Sequence, residues 1–233
     1  YLIKDGESKF YSEKVILMPQ IWNAMSVIKN LPEINDLPVK KKSIFTFGSF
    51  NNFQKISTET IAVWSKILNE TDSQLILKSS SKPSNDTIEN LKNKFSKHLK
   101  NMDKLIFLER IPDMENHLKV YNDIDVALDT FPYPGVTTSF EAILMGVPVL
   151  TMKGFNFNSR CGESINLNLS MNEFLADDEQ DYIDRAINIT KNIDRLSDIR
   201  LSLRQKALKS PLFDIKNFTK DFSIILKDLS LKD

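Results

Sequence analysis

The stretch that most constrains this chain runs from Asp129 to Thr151: Asp-Thr-Phe-Pro-Tyr-Pro-Gly-Val-Thr-Thr-Ser-Phe-Glu-Ala-Ile-Leu-Met-Gly-Val-Pro-Val-Leu-Thr. The residues before it, Ile124 to Leu128, form a short apolar run that fits a buried strand. Pro132, Pro134 and Gly135 cannot continue that strand, so the chain must turn. Thr138 with Glu141 carries the spacing of a capping box, which predicts a helix start at Thr138. Gly146 stands where a helix closes in the left-handed conformation. Val147 to Thr151 then returns as a second apolar strand, with Pro148 tolerable near its start.

Strand, turn, short helix and strand make a βαβ unit. Its turn lies at the carboxyl end of a strand and at a helix N-terminus. Open α/β sheets bind ligands at the first, and free backbone N–H groups attract anions at the second. The hydroxyls of Thr137 and Thr138 add donors for phosphate oxygens. On these residues alone two readings stand, a phosphate-binding corner and a plain helix cap.

The same alternation runs through the middle of the chain. Ile44 to Phe47, Gln74 to Lys78 and Lys104 to Leu108 read as buried strands. Between them lie two amphipathic helices. Ser57 or Thr58 caps the first, with Ile61, Trp64, Ile67 and Leu68 on one face; Ile88, Leu91, Phe95 and Leu99 mark the second. Trp64 is placed in the core. A loop is expected over 79–83 and a short helix from Met114 to Tyr121. Beyond the corner, 159–165, 179–193 and 194–208 read as helices, Pro211 breaks the chain, and a last amphipathic helix runs from Ile215 to Asp233. The fold class is α/β, a Rossmann-like parallel sheet with helices on both faces. Lys14 to Pro19 reads as a short strand, 31–38 as a proline-punctuated linker and 40–42 as a solvated charge run.

Charge narrows the possible partners. Lys and Arg number 31 and so do Asp and Glu, so the net charge is zero and gives no support for capture of nucleic acid or an anionic membrane. A lone cysteine, Cys161, excludes an intrachain disulfide and reads as a buried small residue. No apolar run approaches the length of a membrane span, and the opening residues form no signal peptide, so a cytoplasmic protein is expected. Asp123-Ile124-Asp125 mimics a metal-binding Asp-x-Asp, but alternation at a strand start explains it, and neither a metal nor a cofactor is assigned. Arg160 has two readings, a helix-end anchor or a diphosphate contact.

Three ordered blocks resemble one family. Asp129 to Gly135, Thr137-Thr138, Glu141-Ala142 and Met145 to Val149 are similar to the donor-binding signature of the O-linked N-acetylglucosamine transferases, which include the SPINDLY-like tetratricopeptide-repeat enzymes. Phe45 to Ile56 resembles their Thr-Phe-Gly-Ser-Phe-Asn-Asn-x-x-Lys motif, and Ser210 to Asp214 the start of their C-terminal helix.

The resemblance implies the C-terminal lobe of a GT-B glycosyltransferase. Residues 1–42 would be the tail of a preceding domain and a linker, in which Glu13-Lys14 and Met18-Pro19 are similar to the family's closing segment. Residues 43–210 would bind the nucleotide sugar, and 211–233 would be the terminal helix. The implied function is binding of a UDP-sugar, UDP-GlcNAc first, for transfer to Ser or Thr of a protein held by an N-terminal lobe; a fragment without that lobe would be inactive. A UDP-glucose-dependent protein N-glucosyltransferase and a non-catalytic nucleotide-sugar-binding module are the alternatives. By the same resemblance Lys55 faces the diphosphate, with Asn52 beside it. Gly135, Val136, Thr137 and Thr138 form the anion corner, and Val136 departs from the family's commoner His or Gly. Glu141 takes the ribose hydroxyls, His117 lies by the nucleobase, and Arg110 and Ile111 pass its edge through their backbone. No catalytic base is identifiable. If the other lobe is absent, the apolar face of the last helix is left exposed or is covered by residues 1–42.

Overall fold

The computed structural model describes residues 1–79 and 81–230. Ser80, inside the expected 79–83 loop, and residues 231–233, the expected end of the last helix, lie outside the described residues.

Among the described residues six strands form one fully parallel sheet: β1 (Phe45–Ser49), β2 (Ser73–Lys78), β3 (Leu105–Leu108), β4 (Val126–Leu128), β5 (Val149–Met152) and β6 (Leu175–Ala176), in spatial order β3-β2-β1-β4-β5-β6. The chain winds outward from β1 to β3, then returns to lay β4 against the other side of β1. This reversal opens a crevice at the carboxyl ends of β1 and β4, the place where open α/β sheets hold ligands.

Nine helices join the strands among the described residues: α1 (Val39–Lys42), α2 (Thr58–Glu70), α3 (Asn85–Phe95), α4 (Met114–Lys119), α5 (Thr137–Leu144), α6 (Cys161–Asn168), α7 (Glu179–Lys191), α8 (Ile193–Leu208) and α9 (Ile215–Ser230). On one face α2 packs with α3 and α7; on the other α5 packs with α8. Helix α2 shows how the sequence builds a layer. The Ser57 hydroxyl accepts the Thr60 amide and starts the helix, and Ile61, Trp64, Ile67 and Leu68 are fully buried. Each such side chain contributes about 1.5–3 kcal/mol by leaving water.

Two expectations need correction. Lys14 to Pro19 forms no strand; its apolar residues lie by Phe157, Ser164 and Phe218 instead of beside a strand. The capping box at Thr138 is not formed. Helix α5 begins at Thr137, its N-cap is Val136 with no side-chain bond, and the Thr138 hydroxyl donates to Asn51 instead. Glu141 is drawn inward by stronger partners, His117 and Tyr121. The charge run at 40–42 is solvated as expected; it forms the exposed end of α1, where Lys42 pairs with Asp123.

At the other end of α5 the expected stop is present. Gly146 takes φ 72°, Val147 N–H donates to the Ala142 carbonyl and Gly146 N–H to that of Ile143, the paired bonds of a Schellman ending. A Cβ on Gly146 would also stand 2.6 Å from the Arg200 carbonyl oxygen.

The first forty residues are tied down by buried charge. Arg200, 1% exposed, donates to the carbonyls of Asn35 and Ile124. The Asp125 carboxylate accepts the amides of Val39 and Thr46, and burial raises its pKa. Arg160 resolves to the anchoring role: it pairs with Glu7 and donates to the carbonyls of Leu2, Gly154 and Phe155. The guanidinium holds the Glu7 carboxyl down at about 2. Along α9 cover is partial: Phe218 is partly buried near Met18 and Ile21, while Phe222 and Leu226 are exposed.

Candidate functional site

The loops after β1 and β4 meet at the crevice. After β4 the chain turns through a cis Phe131–Pro132 bond to Gly135. Asp129, 1% exposed, organises that turn. Its Oδ1 accepts the amides of Gly135 (2.6 Å) and Thr130 (3.0 Å) and the Asn51 amide group, and its Oδ2 accepts the Thr151 hydroxyl. Burial pushes its carboxyl up to about 6 against these bonds and against the charge of Lys55. Gly135 is required by close approach: a Cβ there would lie 2.5 Å from the Thr138 hydroxyl and 2.9 Å from Asn51 Oδ1.

The loop after β1 brings the cation. Asn52 caps a single 3-10 turn, 53–55, by accepting the Gln54 amide, and its carbonyl accepts the Lys55 amide. Lys55 leaves that turn half-buried, its Nζ 3.0 Å from the Pro134 carbonyl oxygen and 4.0 Å from the Tyr133 ring centroid. Partial burial lowers its pKa, and the Asp129 carboxylate opposes the shift. At α5 the amides of Thr137, Thr138 and Ser139 meet no acceptor among the described residues. Thr137 is exposed and Thr138 half-buried, so this helix end opens to solvent. An ammonium and a run of bare amides therefore converge on one corner, which suits an anion. The proton of the Thr138 hydroxyl goes to Asn51, because an amide oxygen can only accept; that leaves the Thr137 hydroxyl and the amides as free donors.

One turn further into α5 the site changes character. Glu141 is buried, and its Oε2 accepts from His117 Nε2 at 2.9 Å and from the Tyr121 hydroxyl at 3.0 Å. His117 Nδ1 in turn meets the ammonium of Lys78, the last residue of β2 and 1% exposed. Burial lowers the Lys78 pKa while Glu141 opposes the change, and burial with Glu141 raises that of Tyr121. Arg110 and Ile111 follow β3 at the same edge, Arg110 exposed and Ile111 half-buried. A cavity of about 270 Å³ opens beside them between Lys82, Ile88, Phe107 and Pro112.

The structure thus brings Asn52, Lys55, Gly135, Val136, Thr137 and Thr138 to one corner, and His117 and Glu141 into direct contact one helical turn away. Arg110 and Ile111 stand on the adjoining turn. Sequence reasoning gave no role to Asn51, Lys78, Tyr121 or the Asp129 carboxylate. Lys78 carried one signal, a charge closing the apolar run Leu75 to Leu77. Cys161, buried, has its thiol pushed up to about 11 and is no nucleophile at neutral pH. Among the described residues no cluster of His, Cys, Asp or Glu is placed to hold a metal ion, and no helix is long and apolar enough to cross a membrane.

Known proteins resemble this chain in sequence and in fold. The chain is 31% identical over 93% of its length to the probable UDP-N-acetylglucosamine–peptide N-acetylglucosaminyltransferase SPINDLY of Eustoma exaltatum subsp. russellianum, and 30% identical to that of Solanum lycopersicum. It spans about a quarter of those relatives, 24% and 23%. Among solved structures, a mutant O-GlcNAc transferase of Thermobaculum terrenum matches 97% of this chain with a TM-score of 0.87 and 27% identity; this chain spans 42% of that one. The HepE protein of Anabaena, solved with UDP, shares the fold at a TM-score of 0.57 and 14% identity. The model of glycosyl transferase family 41 matches residues 33–222, and the chain belongs to that family.

Proposed function

We propose that this chain is the donor-binding half of a protein glycosyltransferase, that its donor is UDP-GlcNAc, and that an N-terminal lobe presents Ser or Thr of a protein acceptor. The observation that carries the reading is the meeting of Lys55 with the bare amides of α5 at the sheet's reversal point. Relatives at 30–31% identity are named as transferases using that donor.

The chemistry follows from the leaving group. Cleaving the sugar–phosphate bond builds negative charge on the diphosphate, so donors fixed in advance stabilise the transition state more than the ground state. Lys55 supplies a full charge, and the Thr137, Thr138 and Ser139 amides supply dipoles that need no reorganisation. A preorganised donor of this kind contributes about 3–4 kcal/mol to the barrier. Glu141 offers a carboxylate oxygen to the ribose diol, and the 110–112 turn with its neighbouring cavity faces the base. The mechanism needs neither metal nor cofactor, since lysine and amides carry the charge. The general base belongs to the acceptor side, and a cytoplasmic setting belongs to the same proposal.

Calorimetry tests it. The chain binds UDP at micromolar to millimolar Kd, and Lys55→Ala loses about 1–3 kcal/mol, the scale of a charged hydrogen-bond partner. Equal affinity in parent and variant, or none in either, would sink the reading.

A further inference from the structure

The buried polar chain behind Glu141 has a direction, and its first donor is a lysine. Lys78 sits at the carboxyl end of β2 with its ammonium against His117 Nδ1 and 5.3 Å from the Phe50 ring centroid. An ammonium has protons and no lone pair, so the bond runs from Lys78 to His117. With Nδ1 accepting, the ring's proton lies on Nε2, which donates to Glu141 Oε2. Tyr121 donates its hydroxyl to the same oxygen. Both neighbours therefore converge on Oε2, and Oε1 takes no hydrogen bond among the described residues.

We infer that Lys78 is a positioning residue for donor binding: it fixes His117 as the Nε2–H tautomer and, through it, holds Glu141 with Oε1 presented to a vicinal diol. The inference rests on the donor-site reading above and deepens it. A carboxylate with one oxygen saturated and the other bare is the natural acceptor for two adjacent hydroxyls. A histidine of the opposite tautomer would turn a lone pair toward Glu141 and repel it. Among the described residues no carboxylate touches Lys78 directly, so the lysine does not serve as an ordinary ion-pair anchor.

The groups facing this chain from each packed element are Lys78 on β2, Tyr121 after α4, Glu141 on α5 and, by its field on Lys78, Arg110 after β3. The test compares UDP with its 2′,3′-dideoxy analogue on the parent, Lys78→Met and Lys78→Arg, all at one pH, with thermal unfolding as the folding control. The parent prefers UDP. Lys78→Met weakens UDP by about tenfold, the scale of one hydrogen bond to a charged group, and leaves the dideoxy analogue unchanged. Lys78→Arg, which can only donate, restores the preference. Nitrogen-15 spectra of the histidine rings, with exposed His98 assigned by His98→Gln, read the relay itself. In the parent the His117 ring is bare at Nδ1 with its proton on Nε2, and in Lys78→Met the Nδ1–H tautomer appears. Equal losses for both nucleotides, or none, overturn the diol role. Failure of the parent to bind either nucleotide overturns the diol role together with the donor reading. An unchanged His117 spectrum in Lys78→Met overturns the relay whatever the nucleotides do.

Discussion

Two helix starts flank the crevice, and they are finished differently. Helix α2 is closed by its own sequence: Ser57 accepts the Thr60 amide, and both hydroxyls turn to the Phe131 carbonyl. Helix α5 has a sequence that promises the same closure, Thr138 followed by Glu141, and does not deliver it. The Thr138 hydroxyl and the Glu141 carboxylate are used elsewhere, so three amides of α5 stay bare where Lys55 arrives. A capped end is a structural joint; an uncapped end beside a cation is a place for an anion. The same residue types serve both purposes, and their partners decide which.

The comparison is easiest to break at Asp129, which props the open corner. Asp129→Ala leaves the Gly135 amide and the Thr151 hydroxyl without acceptors and destabilises the fold by about 3 kcal/mol, measured by urea unfolding, with UDP binding lost as well. The same carboxyl gives a pH signature. Its folded pKa of about 6 lies above the unfolded value of 3.8, so its contribution to stability is complete below pH 3.8 and disappears as the pH rises through about 6. Relative to Asp129→Asn, the parent loses about 3 kcal/mol across that window. A parallel pH profile for the two would refute the buried charge.

Lys55→Ala tests the open corner against the closed one. UDP affinity falls by about 1–3 kcal/mol, while the unfolding midpoint moves less, because within the fold the half-buried ammonium gives up one hydrogen bond, to the Pro134 carbonyl, and its contact with the Tyr133 ring. Ser57→Ala should do the reverse. It removes about 1 kcal/mol of stability, the typical worth of an N-cap, and leaves the UDP Kd alone. If Ser57→Ala weakened UDP as much as Lys55→Ala, the distinction between the two helix starts would fail. The smallest effect on stability sharpens the contrast. Val136→Asp places a carboxylate at the uncapped end of α5 and stabilises the helix by about 0.5 kcal/mol, yet it repels a diphosphate, so calorimetry with UDP shows weaker binding.

Much of this was legible in the chain. The strands from Phe45 to Leu108 and the βαβ unit at the corner follow from apolar runs and their punctuation, since burial on both faces leaves a parallel strand little choice of residue. Gly146 was readable because few residues accept a positive φ. Lys55, Gly135 and Glu141 could be placed on candidate loops and helices by number. Their partners could not be. Glu141 looked like a capping residue because spacing reports only neighbours along one helix, and its true partners, His117 and Tyr121, come from α4 and the turn after it. Lys78 looked like the polar end of a strand.

The sequence by itself determined β1 to β5 and the helices from α2 onward, and that a glycine- and threonine-bearing turn joins two of them; it did not show β6 or α1. Periodicity and turn chemistry are local, and local rules settle them. Tertiary structure decided that the turn's helix stays uncapped, that Lys55 crosses from another loop to meet it, and that Lys78, His117 and Glu141 form one directed chain. Those outcomes depend on the sheet reversing direction between β1 and β4, which brings together side chains separated by 87 positions, as Asn51 and Thr138 show. A hydrogen bond goes to the strongest partner within reach, and reach is set by the fold.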